Sequence, residues 1–128
     1  MRLLFDTHAF IWWMTSSPLL TEDAFVALSD ERSDIFVSAV TAWEMATKFR
    51  LGKLPEAQLL LPQFISDVFK ENFRLLAIEV HHGLRAGLLE GSHKDPFDRM
   101  LIAQALEEDL TLVSNETAFD KFGVKRLW

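Results

Sequence analysis

The chain has 128 residues, 49% of them hydrophobic, with 19 acidic and 13 basic side chains and a formal charge of −6. That suits one globular domain with its own core and excludes a disordered chain; without cysteine, a disulfide framework and a thiolate zinc site are excluded too. An acidic chain makes a poor general binder of nucleic acid, because phosphate contacts dominate that affinity, so any such activity must rest on local basic groups and on acids neutralised by metal. No apolar stretch approaches the ~20 residues of a membrane span. Asp6 breaks the first apolar run, so no secretory leader is expected, and the lack of cysteine suits the cytoplasm.

Leu3-Leu4-Phe5 reads as a short buried strand that ends on Asp6. An ionised carboxylate beside a buried strand is costly unless it is paired or holds a cation. Asp6 is therefore either a helix cap for the segment starting near His8 or a metal ligand at the carboxyl end of a strand, where open α/β sheets bind ligands. His8–Met14 is strongly apolar; Trp12 and Trp13 suggest core plus a partner-facing patch, since adjacent helix positions point different ways. Thr21 with Glu22 and Asp23 starts a second helix.

Asp34–Ser38 is a second strand. A helix from about Val40 to Arg50 follows, with Trp43 assigned to the core and Gly52 as its stop. Pro62–Asn72 reads as an amphipathic helix with Phe64, Ile65, Val68 and Phe69 on one buried face and Pro62 in its first turn. Phe73–Ile78 is a third strand and Glu79–Glu90 a further helix, interrupted by Gly83 and Gly87. After the loop Gly91–Pro96, a helix is expected over Phe97–Glu108. Leu110–Val113 is a fourth strand, Glu116–Phe122 a short helix stopped by Gly123, and Val124–Leu127 a last strand. Strands alternating with helices imply βαβ units, hence a largely parallel sheet covered on both faces.

Acids recur at corresponding places. Asp6 follows the first strand, Glu44 lies early in the helix after the second, Asp98 with Asp95 before it opens the helix leading to the fourth, and Glu116 opens the helix after that strand. Each alone has a plain reading as a capping or dipole residue. Gathered on one rim, they form an oxygen-only cluster suited to Mg²⁺ or Mn²⁺, which can activate water and stabilise the leaving oxygen of a phosphodiester. Lys48, Arg50, Lys94 and Arg99 are the cations nearest these segments and candidates for substrate phosphates; the alternative is that Lys48 and Arg50 favour a helix C-terminus and Arg99 pairs with an acid. Thr7 and Ser114 are candidates to orient a carboxylate by hydrogen bond, Thr7 equally as a local cap. His8, His81, His82 and His93 share no ligand spacing with the acids, so a transition-metal site is not expected; His93 is a candidate to touch substrate.

Four segments carry a resemblance: Leu3–Trp13 (LLFDTHAFIWW), Val37–Lys48 (VSAVTAWEMATK), His93–Ala105 (HKDPFDRMLIAQA) and Leu112–Phe119 (LVSNETAF). Together they resemble the PIN-domain ribonucleases, specifically VapC-type toxins of bacterial toxin–antitoxin pairs, over nearly the whole chain. The resemblance implies a single three-layer α/β/α domain with a short parallel sheet, Mg²⁺- or Mn²⁺-dependent RNA hydrolysis, a homodimer, and inhibition by a cognate antitoxin. By position it implies Asp6, Glu44 and Asp98 as metal-holding acids, with Glu116 where the family usually has Asp and Ser114 where it usually has Thr; Asp95 is a possible helper. Two rival readings stand beside it. An aspartyl phosphatase using Asp6 would want a second Asp two residues on, where His8 stands. A non-catalytic binding module would use its acids only as caps.

Overall fold

A computed structural model describes all residues, Met1–Trp128. Five strands, β1 (Arg2–Phe5), β2 (Asp34–Ser38), β3 (Arg74–Leu76), β4 (Thr111–Val113) and β5 (Arg126–Leu127), form one sheet in the order β3-β2-β1-β4-β5. Every neighbouring pair is parallel, with Leu4 opposite Phe36 on one side and Leu112 on the other. The helices are α1 (Thr7–Met14), α2 (Glu22–Ser29), α3 (Ala39–Arg50), α4 (Phe64–Lys70), α5 (Val80–Leu88) and α6 (Pro96–Glu107), with 3-10 turns at Pro55–Leu59 and Thr117–Phe122.

The side-chain alternation of β1 explains the layers. Leu3 and Phe5 enter one apolar cluster with Phe10 and Ile11 of α1, Ala24 and Leu28 of α2, Met45 of α3, and Phe64 and Val68 of α4. Leu4, pointing to the opposite face, joins Leu101, Ile102 and Ala105 of α6, Leu112 of β4, and Phe119. Helices thus cover both faces, the three-layer α/β/α arrangement expected for an all-parallel sheet. Ser38 caps α3, its Oγ accepting from the N–H of Val40 at 2.9 Å. Gly123 ends the Thr117–Phe122 turn at a φ of +76°, a left-handed conformation that a side chain would strain.

The chain runs β1 to β2 to β3 outward on one side, then returns to place β4 and β5 on the other. The order therefore reverses at β1, the switch point where open α/β sheets leave a crevice beyond the strand ends. Asp6 stands there, its N–H bonded to the carbonyl of Val113 on β4 at 3.0 Å.

Several local expectations are corrected. β3 and α4 are shorter than the patterns suggested, and Pro62 lies outside α4. Phe64 and Val68 are buried, but Ile65 and Phe69 are exposed: α4 rests on the sheet along a narrow line, too narrow for four apolar side chains. Trp43 is exposed rather than core. It leans edge-on against Phe97, ring centroids 4.6 Å apart, and so ties α3 to α6 across the surface.

Candidate active site

Asp6 is buried where β1 turns into α1. Its Oδ1 accepts the Thr7 N–H at 2.8 Å and its Oδ2 the Ser114 hydroxyl at 2.7 Å. Ser114 Oγ in turn accepts the Glu116 N–H at 3.0 Å, which fixes the direction of that hydroxyl. Burial pushes the Asp6 carboxyl up to about 7; the Ser114 bond opposes this, the field of Asp98 adds to it, the Thr7 N–H opposes it, and the field of Glu44 adds again. The Thr7 hydroxyl does not orient a carboxylate. It shares a buried hydrogen bond of 3.2 Å with the Thr41 hydroxyl, pinning α1 to α3.

Glu44, in the middle of α3, is only 3% exposed. One oxygen, Oε2, accepts from the Lys48 ammonium one turn later. The other, Oε1, is buried with no partner at all. An orphaned carboxylate oxygen in an interior is expensive and is the kind of group a cation would satisfy.

Asp98 and Asp95 sit at the start of α6 with different tasks. Asp95 is the cap: its Oδ1 accepts the N–H groups of Phe97 at 2.9 Å and Asp98 at 3.2 Å. Asp98 points onward, its Oδ2 paired with His93 Nε2 at 2.8 Å. Burial raises the Asp98 carboxyl above its ordinary range; the His93 bond opposes that, and the fields of Asp95 and Glu44 raise it further. Three acids distant in sequence therefore lie within each other's fields. Their donors are oxygens only, a set suited to a hard divalent ion.

The other candidates divide. The Glu116 side chain is exposed and makes no hydrogen bond; only its backbone reaches the site, through Ser114. Arg99 is corrected: its guanidinium donates to the carbonyls of Ala86 at 3.1 Å, His93 at 2.9 Å, and Leu89. It closes the C-terminal end of α5 and binds the His93 loop, which commits one N–H on each guanidinium nitrogen to the fold. Arg50 and Lys94 are exposed and without ion-pair partners.

A tighter group of potential ligands lies elsewhere. His81, His82 and Glu108 offer atoms all within 4.8 Å of one another, at the end of α6 whose Glu108 carbonyl is bound by Arg2 at the start of β1. That is the amino-terminal edge of the sheet. His82 Nδ1 accepts the Glu79 N–H at 2.9 Å, so its proton resides on Nε2, which donates to Glu108 at 2.7 Å. A nitrogen carrying that proton has no lone pair for a metal. The trio is a structural bridge between α5 and α6, with His82 buried and His81 and Glu108 reaching solvent.

The PIN-domain family model matches residues 3–125. The chain belongs to the PIN-domain family. Among solved structures, this PIN domain is similar to VapBC2 from Rickettsia felis, solved with a fragment of promoter DNA (TM-score 0.72, 16% identity, 99% of this chain and 98% of that one). It is also similar to a toxin–antitoxin complex from Klebsiella pneumoniae (TM-score 0.57, 20% identity, 90% and 87%). A third similarity is to the PIN domain endonuclease Utp24 (TM-score 0.52, 13% identity, 94% and 75%). At these identities the likeness is one of fold. No curated relative matches the sequence.

Two contacts of the PIN site were not foreseen. His93 was read as a possible substrate contact, yet it grips Asp98; its place in the loop five residues before that acid was the only signal. Thr41 gave none, since its role depends on how α1 and α3 meet.

Proposed function

We propose that this PIN domain is a divalent-metal-dependent endoribonuclease acting as the toxin of a toxin–antitoxin pair. The observation that carries the reading is the orphaned Oε1 of buried Glu44, in an acidic cluster whose other carboxyls, Asp6 and Asp98, are pushed upward by burial and by neighbouring acids, Asp98 and Glu44 acting on Asp6, Asp95 and Glu44 on Asp98. Asp6, Glu44 and Asp98 would hold Mg²⁺ or Mn²⁺, with Glu116 and Asp95 at the margin. When bound, the ion supplies Lewis acidity for attack of water on phosphorus. The chain's own part is positioning. Ser114 and the Thr7 N–H hold both oxygens of Asp6, and His93 aims Asp98. Lys48, Arg50 and Lys94 are the cations for RNA phosphates. With both oxygens hydrogen-bonded and buried, Asp6 is ill placed to serve as the nucleophile of a phosphatase.

A second copy of the chain fits α5. Val80, Leu84 and Leu88, spaced by four along one face, are 81%, 62% and 78% exposed. Gly83 and Gly87 beside them meet nothing where a Cβ would stand, so another helix can approach closely. An antitoxin helix fits the cleft of about 510 Å³ lined by Trp12, Trp13, Leu20 and Phe25, an apolar groove for an amphipathic partner.

The test is cleavage of a mixed RNA substrate with Mn²⁺ and with EDTA. Cutting should stop on chelation and in Asp98→Asn; undiminished cutting in either case overturns the proposal. Leu84→Glu should convert a dimer to a monomer in sedimentation; an unchanged mass overturns the α5 interface alone.

A further inference from the structure

Glu–Lys pairs at i, i+4 are common on helix surfaces, where they add a few tenths of a kcal/mol. The Glu44–Lys48 pair is not of that kind. Glu44 is buried, and the Lys48 side chain is only 27% exposed. The Lys48 stem reaches beyond its own helix: the ammonium lies 5.9 Å from the centre of the Phe97 ring on α6, and it sits in the fields of Asp95 and Asp98 as well as Glu44. One positive charge on α3 is therefore shared among acids that come from two helices some fifty residues apart in sequence. It is the only lysine or arginine paired with that group, the imidazole of His93 serving Asp98. Yet the single ammonium leaves the job half done, because Glu44 Oε1 still has no partner.

We propose that Lys48 is a built-in counter-ion that occupies the acidic pocket in place of a divalent cation and gives up Glu44 when such a cation enters. The inference rests on the metal-dependent reading above and adds to it a competition within the chain. Two charges on a divalent ion outweigh one on an ammonium, and an ion ligated by Glu44 also satisfies the oxygen that Lys48 leaves bare. Lys48 is free to leave: its side chain is partly exposed, and the Phe97 ring already 5.9 Å from its ammonium can keep a cation–π contact as Glu44 is given up. From there the released ammonium faces incoming RNA. Lys48 thus serves in turn as the pocket's neutralising charge and as a phosphate contact, and metal loading couples the two roles.

The competition has a direction that a mere phosphate contact or a mere helix pair lacks. Removing the ammonium should tighten divalent-ion binding while weakening the metal-free fold. The experiment compares the parent, Lys48→Gln and Lys48→Arg at pH 8 by Mn²⁺ titration calorimetry and by thermal unfolding in EDTA. Lys48→Gln should bind Mn²⁺ about tenfold more tightly, the scale of one screened unit charge in a partly buried site, and should melt lower without metal. Lys48→Arg keeps the charge and should stay within about twofold of the parent. Equal or weaker Mn²⁺ binding by Lys48→Gln overturns the inference while leaving the metal-dependent reading standing. A parent that binds no Mn²⁺ overturns both. Should Lys48→Gln not fold in EDTA, refolding in Mn²⁺ but not in NaCl of equal ionic strength supports the inference, and no rescue by Mn²⁺ overturns it.

Discussion

The two edges of the sheet both carry acids and treat them in opposite ways. At the amino-terminal edge, Glu108 receives His82 at 2.7 Å and His81 at 3.3 Å; the His82 bond holds its carboxyl below the ordinary range against a small burial effect, with His81 assisting. Asp109 pairs there with Lys125, and Asp34 with Arg74. At the carboxyl-terminal edge, burial raises Asp6 and Asp98, and Glu44 has half of its valence unmet. Both edges use the same residue types. The donors per carboxylate are alike at the two edges; the access of water separates them, since Glu108, Asp34 and Asp109 are partly or largely exposed while Asp6 and Glu44 are buried and Asp98 nearly so.

That contrast is most sharply broken by Asp6→Asn. Loss of a ligand should lower RNA cleavage by about a thousandfold or more. The same change should raise the thermal stability of the metal-free protein at pH 8, because it removes a carboxylate ionised against burial. A variant that loses activity and stability together would mean that Asp6 is ordinary scaffolding.

The pH dependence follows with a definite sign. Folded Asp6 keeps its proton up to about 7, whereas the unfolded chain releases it near 3.8. Between those values the folded state binds the extra proton, so stability of the metal-free protein falls as pH rises through the window, by at most about 4 kcal/mol, and levels off above it. Asp98, raised in the same sense, adds to the trend. Denaturant unfolding in EDTA between pH 4.5 and 8 measures this. Mn²⁺ affinity should move the other way, rising with pH to about 7 as the ion ceases to compete with the proton.

Ser114→Ala is a smaller perturbation of the same edge. The hydroxyl is the strongest influence holding Asp6 down against burial. Without it Asp6 keeps its proton to higher pH, and Mn²⁺ affinity at pH 7 should fall about tenfold, the lower end of what an orienting hydrogen bond is worth. The deficit should narrow at pH 9, where Asp6 is ionised in either protein.

Much of this was legible in the chain. The apolar runs before Asp6, within Asp34–Ser38 and before Ser114 are strands because residues buried on both faces leave an unbroken hydrophobic signature, and Asp6 at the end of the first stands at the switch point. What stayed hidden depends on partners that the chain order does not reveal. Trp43 looks like core until Phe97 supplies a surface for it. Ile65 and Phe69 look buried until α4 packs along the Phe64–Val68 line alone and leaves them exposed. Arg99 looks like a phosphate ligand until the end of α5 brings two carbonyls to it and the His93 loop a third. Lys48 reads as a phosphate contact or a charge at a helix C-terminus until the burial of Glu44 one turn before it and the approach of α6 make it a partly buried partner of that acid.

The least disruptive change should be Glu108→Gln at the opposite edge. Glutamine keeps an oxygen to accept the buried His82 N–H, so the bridge between α5 and α6 survives and only its charge is lost. Stability should fall by about 1 kcal/mol at neutral pH. The loss should vanish as pH drops through the depressed range in which folded Glu108 takes up its proton, since a lowered carboxyl stabilises only while ionised. Mn²⁺ affinity and RNA cleavage should match the parent, because the acids proposed to hold the metal stand at the far end of the strands. A shift in Mn²⁺ affinity of more than about tenfold would be too large for screened charges acting over that span. It would mean that the seam and the pocket are mechanically coupled through α6, and that the two edges are not independent.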